Sequence, residues 1–216
     1  MKRTDILIIG AGPVGMALAL ALRDGPHRVT LVDARERGAT REDPRVLALA
    51  HGTRLTLERL GVWQHLPTTP IRRIHISQRG GGGRTELRDT DYGVDGLGHV
   101  VRAGALAAAL DDAIEAAGIE LIDRAQATPD MDQPGRVMLT GGDADGPVDC
   151  RLVACAEGGM RADMPQIEVR DYDQHAVICM ATPAHPHANV AYERFTPDGP
   201  LALLPCGTDF AVVHTA

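Results

Sequence analysis

The hexapeptide Gly10-Ala-Gly-Pro-Val-Gly15 leaves this chain few ways to fold. It follows Asp5-Ile-Leu-Ile-Ile9, an apolar run with no polar alternation, which predicts a strand buried on both faces, as in parallel sheets. Met16 to Arg23 is rich in Ala and Leu and contains no breaker, so it reads as a helix that ends at Asp24-Gly25-Pro26. Arg28-Val-Thr-Leu-Val-Asp33 reads as a second buried strand. Strand, helix and strand in so short a span form a right-handed βαβ unit.

Each glycine of the hexapeptide has its own physical task. Gly10 permits the tight turn, Gly12 lets backbone N–H groups approach a pyrophosphate, and Gly15 lets helix and strand pack closely. The helix N-terminus adds partial positive charge for phosphates. Asp33 ends the next strand, 18 residues beyond Gly15, where it can accept hydrogen bonds from adenosine ribose hydroxyls. This fingerprint predicts a dinucleotide site without distinguishing NAD from FAD.

The chain beyond it departs from the alternating strands and helices of a nicotinamide dehydrogenase. Residues 34–44 are polar and irregular, and a helix is predicted from Arg45 to Leu60, stopped by Gly61. Ile71 to Gln78 reads as a strand, Gly80 to Gly83 as a turn, and Arg84 to Arg88 as the return of a hairpin. The four glycines are no phosphate loop, because no helix follows them. His99 to Arg102 precedes a helix over Ala105 to Ala117 that Gly118 closes, and Ile119 to Ile122 is a short strand. Arg136 to Thr140 and Val148 to Cys155 read as antiparallel strands around residues 141–146. Residues 166–215 hold strand-like runs and no convincing helix, so a boundary is expected near 164.

Composition removes whole classes. The 216 residues are 44% hydrophobic and 24% charged, which excludes bulk disorder. One Trp, three Tyr and two Phe require a core of aliphatic side chains. Lys2 is the only lysine, which excludes a Walker A or Schiff-base lysine, and Ser77 is the only serine, which excludes a Gly-x-Ser-x-Gly elbow. A net charge of -7 without a basic block argues against nucleic acid. Cys150, Cys155, Cys179 and Cys206 show no Cys-x-x-Cys spacing and read as reduced thiols packed as small hydrophobes, in keeping with a reducing cytoplasm. His185-Pro-His187 reads as a loop, and no metal site is expected. No apolar run is long enough for a transmembrane helix, and the immediate entry into a strand leaves no room for a signal peptide.

Several segments together resemble one family, the flavoprotein aromatic hydroxylases related to para-hydroxybenzoate hydroxylase. Within it they resemble the ubiquinone-biosynthesis hydroxylases that act on polyprenyl phenols. Gly10-Ala-Gly-Pro-Val-Gly15 and Leu31-Val-Asp33 match the FAD entry motif. Asp43-Pro-Arg45-Val-Leu-Ala-Leu49, Leu60-Gly61-Val-Trp63 and Leu97-Gly-His-Val-Val101 resemble later segments of the subgroup, and Tyr192-Glu-Arg-Phe-Thr-Pro-Asp-Gly-Pro-Leu-Ala-Leu-Leu-Pro205 resembles its signature. The matches cover nearly the whole chain.

The resemblance implies an α/β fold: an FAD-binding Rossmann-like βαβ domain with a β-meander over 1–70 and 97–164. Part of a mainly antiparallel β-sheet substrate domain would occupy 71–96 and 165–216. It implies that Gly10, Gly12, Gly15 and Asp33 hold the ADP half of FAD, that Arg45 reaches the pyrophosphate, and that Arg102 lies near the next flavin-contacting stretch. Pro13, Val14, Ala34, Arg35 and Ala127 join the cofactor-binding set. Glu157 and Gly158 stand where the family carries an Asp-Gly motif; glutamate keeps the charge and adds a methylene.

The implied reaction uses NADPH or NADH to reduce FAD, with dioxygen then oxidising the phenol ring. The cofactor carries the chemistry, so no side chain is named as catalytic. A polyprenyl-phenol substrate implies a cytoplasmic protein in peripheral contact with the inner membrane, although no amphipathic basic helix is visible. The family's late Gly-Asp motif is missing and the chain is near half the usual length. It therefore reads as the N-terminal half of such an enzyme, inactive alone, with an unpaired sheet edge that invites a second copy or a complex with other quinone-biosynthesis proteins. Two alternatives stand beside this: another flavoprotein oxidoreductase, and a non-catalytic, shortened nucleotide-binding chain.

Overall fold

The computed structural model describes residues 2–142, 144–158 and 170–215. In chain order the elements are β1 (Lys2–Arg3), β2 (Ile6–Ile9), α1 (Pro13–Leu22), β3 (Val29–Val32), β4 (Val46–Ala50), α2 (His51–Arg59), β5 (Thr69–Ile71), β6 (Arg73–Gln78), β7 (Arg84–Arg88), α3 (Asp89–Tyr92), β8 (Gly98–Arg102), α4 (Ala103–Ala116), β9 (Glu120–Ile122), β10 (Gln126–Pro129), β11 (Arg136–Thr140), β12 (Gly146–Asp149), β13 (Leu152–Cys155), β14 (Ala176–Ala181), β15 (Val190–Thr196), β16 (Gly199–Cys206) and β17 (Asp209–Thr215). Two compact units result, one from residues 1–43, 59–65 and 104–161, the other from 44–58, 66–103 and 162–216. The boundary expected near residue 164 lies outside the described residues.

In the first unit β13, β2, β3 and β9 form a parallel sheet in that order. Parallel strands buried on both faces explain the apolar run at 6–9 and the run at 29–32, interrupted only by Thr30, whose residues are all buried. Alternation sends Leu7, Ile9, Val32 and Ile122 to one face, where they pack with Ala125, Ala127, Val137, Leu139 and Val148 of the meander sheet β1-β12-β11-β10. Met16, Ala19 and Leu20 of α1 are buried, and α1 packs on β2 and β3. Each fully buried aliphatic side chain of this kind contributes about 1.5–3 kcal/mol.

The second unit holds a six-stranded sheet, β14-β17-β16-β15-β6-β7, and a small antiparallel sheet, β4-β8-β5. Ile71, Val100 and Ala191 form its core, with Val46, Ile74, Leu204 and Cys206 packed around them.

Several local expectations need correction. The helix predicted over Arg45 to Leu60 begins only at His51, and residues 46–50 pair instead with β8, from Val46 opposite Arg102 to Ala50 opposite Gly98. Leu and Ala favour helices weakly, and a neighbouring strand with open hydrogen bonds outweighs that preference. Val148 to Cys155 is two strands in two sheets: Arg151 and Leu152 both donate backbone N–H to the Asp5 carbonyl, turning the chain from the meander into the parallel sheet. Ile71 to Gln78 divides at Arg72, whose N–H bonds the Asn189 carbonyl. The second long helix starts at Ala103 rather than Ala105. Cys155 and Cys179 are exposed rather than packed, whereas Cys150 and Cys206 are half-buried.

Candidate nucleotide-binding site

The turn after β2 is shaped by contact with β13. Gly10 has φ +105°, and a Cβ there would strike the Ala156 carbonyl and lie 2.8 Å from the Glu157 nitrogen. A Cβ at Gly15 would strike the Gly10 carbonyl oxygen. These two glycines serve the packing of β2, α1 and β13. Gly12 is different. Its φ of -79° suits any residue, and nothing lies within 4 Å of a Cβ built on it. Neither its backbone conformation nor protein packing calls for the absence of a side chain there, and the space beside it is open.

Gly12 is also the N-cap of α1. It offers no side chain to the first helical N–H groups, Pro13 occupies the first turn, and Val14 is 72% exposed. An N-terminus left bare in this way keeps N–H donors and partial positive charge that suit an anion.

Asp33 lies just beyond the end of β3, one strand over. Its Oδ2 accepts the Ala11 N–H at 2.7 Å, which ties the strand end to the glycine turn. Arg35 grips the same carboxylate: its Nε reaches Oδ1 at 2.9 Å, its Nη2 reaches Oδ2 at 2.9 Å, and its backbone N–H reaches Oδ1 at 2.8 Å. Burial by itself would raise the Asp33 pKa, but the hydrogen bonds from Arg35 and Ala11 outweigh it and hold the carboxyl below its usual range. Asp33 is therefore an anion with its acceptor sites turned toward the glycine turn.

Gly10, Asp33, Ala34, Arg35, Ala127 and Glu157 line one cleft of about 390 Å³ at the carboxyl ends of β2, β3 and β13. Ligands of open α/β sheets bind at such ends. Ala125 and Gln126 line it too, and sequence reasoning missed both. Their signal was faint: a short strand start after β9 that only the meander pairing reveals. Gly158 follows Glu157 with φ +71°, in the left-handed region.

Arg45 and Arg102 lie in the second unit. The structure brings them together: Arg45 directly precedes β4, Arg102 ends β8, both are exposed, and the Ala103 N–H bonds the Arg45 carbonyl at 2.8 Å. Arg45 stands before a strand, not within a helix. His187 of the predicted loop uses both ring nitrogens within the protein, on the Gly207 carbonyl and the Asn189 N–H.

The residues present fit a dinucleotide of the FAD type. The bare helix N-terminus and the open space at Gly12 suit a pyrophosphate, and the Asp33 carboxylate at the end of the next strand, tied to the turn through the Ala11 N–H, is the acid such sites place at a ribose.

Comparison with known proteins follows the same line. The family described as FAD binding domain matches residues 3–194. The mitochondrial ubiquinone biosynthesis monooxygenase COQ6 of Homo sapiens is 26% identical over 226 residues, covering 93% of this chain and 48% of the relative. The 3-demethoxyubiquinol 3-hydroxylase of Escherichia coli is 28% identical over 223 residues, covering 96% and 56%. Among solved structures, p-nitrophenol 4-monooxygenase PnpA from Pseudomonas putida superposes with a TM-score of 0.80 at 14% identity, over 100% of this chain and 58% of that one. The chain thus spans about half the length of the curated relatives it matches.

Proposed function

This chain belongs to the FAD binding domain family, and on that premise we propose that it forms the flavin-binding part of a monooxygenase that hydroxylates the ring of a polyprenyl phenol in ubiquinone biosynthesis. The observation that carries the reading is the cleft at the ends of β2, β3 and β13, where Gly10, Asp33 and Glu157 converge beside a helix N-terminus with no side-chain cap.

In this reading Gly12, Pro13, Val14 and Gly15 present the N-terminus of α1 to the pyrophosphate, and Asp33 takes the ribose hydroxyls. Ala34, Arg35 and Ala127 wall the adenosine side, and Glu157 with Gly158 closes the strand end opposite. The resemblance assigns Arg45 to the pyrophosphate and places Arg102 near the next flavin-contacting stretch; the two are neighbours at the end of the β4–β8 pairing. Bound FAD would supply the redox chemistry, with NADPH or NADH as electron donor and dioxygen as oxidant. The protein's own task is to bind, orient and keep water from the ring.

The relatives in Homo sapiens and Escherichia coli, a ubiquinone biosynthesis monooxygenase and a 3-demethoxyubiquinol 3-hydroxylase, support the phenol-derived substrate. The Tyr192–Pro205 segment supports it too: it forms the β15–β16 hairpin, from Tyr192 opposite Leu203 to Thr196 opposite Gly199. A substrate of this kind would bring peripheral contact with a membrane, and no helix among the described residues is long and apolar enough to cross one. The uncharged edge strand β14, exposed along its whole length, supports association with a second copy or another quinone-biosynthesis protein.

The test loads the purified chain with FAD and follows NADPH and NADH oxidation with and without a short-chain polyprenyl phenol. The reading expects retained flavin without phenol-stimulated turnover from this chain, and hydroxylated product once the remaining length of the relatives is supplied. Flavin retention with no product in either form would remove the monooxygenase assignment and leave a flavin-binding chain.

A further inference from the structure

The segment that leaves the cleft after Asp33 is anchored by one buried carboxylate on α4. Asp111 is 5% exposed, and two arginines of the segment 34–43 converge on it. Arg37 Nε reaches Asp111 Oδ1 at 2.8 Å, and Arg41 Nε reaches Oδ2 at 3.1 Å, with Arg41 Nη2 on the same oxygen. Arg37 Nη2 also bonds the Asp111 carbonyl at 3.2 Å. Three further carboxylates flank the contact: Asp112 takes Arg41, Glu115 takes Arg37, and Asp123 accepts the Arg37 backbone N–H at 2.9 Å. The far end of the segment is tied to α4 as well, because the Gly104 N–H bonds the Asp43 carbonyl.

The arginines alternate in direction. Arg35 turns back to Asp33, whereas Arg37, two residues on, turns to Asp111. The segment therefore spans two anchors, the proposed ribose acceptor and the α4 carboxylate. Residues 35–41 line a small cavity together with Ala11, Met16, Asp33 and Asp111, directly behind the glycine turn. Along the backbone, Arg37 lies two peptide units and Arg41 six from the Arg35 N–H that bonds Asp33.

We propose that Asp111 is a positioning residue of the nucleotide site: by clamping Arg37 and Arg41 it sets the path of residues 34–43 and hence the adenosine side of the cleft. It touches no ligand itself. The inference rests on the nucleotide-binding reading given above.

The test uses ADP as probe, since it carries only the half of FAD that this segment would border. Asp111→Asn keeps the size and removes the charge; Arg41→Gln removes one half-exposed arm and spares the Asp111–Arg37 pair, so it keeps the test open if the buried substitution does not fold. Both are measured by titration with ADP well below their melting temperatures, and by tryptic cleavage at Arg35 and Arg37, sites that both variants keep. Loss of a charge-assisted hydrogen bond should weaken ADP binding about tenfold in Asp111→Asn and about threefold in Arg41→Gln. Cleavage within 35–41 should accelerate in both, and saturating ADP should slow it again. A role confined to stability would lower the melting temperature and leave ADP affinity and cleavage at the wild-type level, which would overturn the inference alone. Wild-type chain that fails to bind ADP would overturn both the nucleotide-site reading and this inference.

Discussion

Asp33 and Arg35 form a two-pronged pair, Nε on Oδ1 and Nη2 on Oδ2, each at 2.9 Å. With the two backbone N–H groups of Ala11 and Arg35 added, the carboxylate accepts four hydrogen bonds. An ionised carboxylate has about four lone-pair sites, so a ribose diol can bond Asp33 only if the guanidinium yields at least one of them. Binding at this site is an exchange of partners rather than an addition.

On the proposed reading, that exchange would make Asp33 essential and the Arg35 side chain dispensable for ribose recognition. Asp33→Asn should weaken FAD binding about tenfold, while Arg35→Ala should leave it within about threefold, because the lost cation is offset by freed acceptors. Titration of apo chain with FAD by flavin fluorescence checks both. The Asp33 carboxyl is held below its ordinary value of 3.8, so its stabilising contribution is present above that pH and is lost as pH falls below it. The acid limb of thermal unfolding should therefore be shallower in Asp33→Asn than in wild type.

The three glycines of the turn should separate into two classes. Gly10→Ala and Gly15→Ala force a methyl group into backbone and should cost about 3 kcal/mol or more each, with loss of soluble folded chain. Gly12→Ala meets no protein atom, so its melting temperature without flavin should match wild type while its FAD binding falls. Thermal unfolding beside flavin titration reads the two effects apart. Equal destabilisation at all three positions would show that Gly12 is structural.

His99 carries a second pH effect. It is 5% exposed in β8, and desolvation, followed by the nearby charges of Arg54 and His51, holds it below its ordinary 6.5. The unfolded chain takes up this proton more readily than the folded one, so stability is present above 6.5 and declines as pH drops below it. His99→Gln should flatten the dependence of melting temperature on pH between about 6.5 and 5. An unchanged slope in the variant would place the effect elsewhere.

The strand β14 predicts a surface behaviour. Residues 176–181 carry no charge, every one is exposed, and the strand ends its sheet. Edges of this kind template pairing with another chain. Wild type should associate with rising concentration in sedimentation or size-exclusion experiments, and Ile178→Lys should shift it toward monomer. A wild type that stays monomeric at high concentration would show that the edge is protected.

Much of the first unit was legible from local pattern alone. The runs at 6–9 and 29–32 are apolar but for Thr30 because both faces are buried, and Gly10 and Gly15 are required by backbone contacts that few other sequences tolerate. What stayed hidden depends on distant partners. Val46-Leu-Ala-Leu-Ala50 is helical by composition and a strand by virtue of β8, some fifty residues later. Asp149 and Leu152 belong to different sheets because Asp5 turns the chain between them. Nothing in the sequence sets Asp111 apart from Asp112 and Glu115 of the same helix; only the folded chain brings it to Arg37 and Arg41. Charge complementarity across seventy residues has no period to read.

Visible absorbance of the chain after incubation with FAD and desalting asks directly whether the cleft at Gly10 and Asp33, beside the Gly12 N-cap, is a flavin site. Flavin bands retained by wild type and lost from Gly12→Ala are the expected result. A wild type that emerges colourless, or a Gly12→Ala chain that keeps its flavin in full, would contradict the assignment of this cleft to FAD.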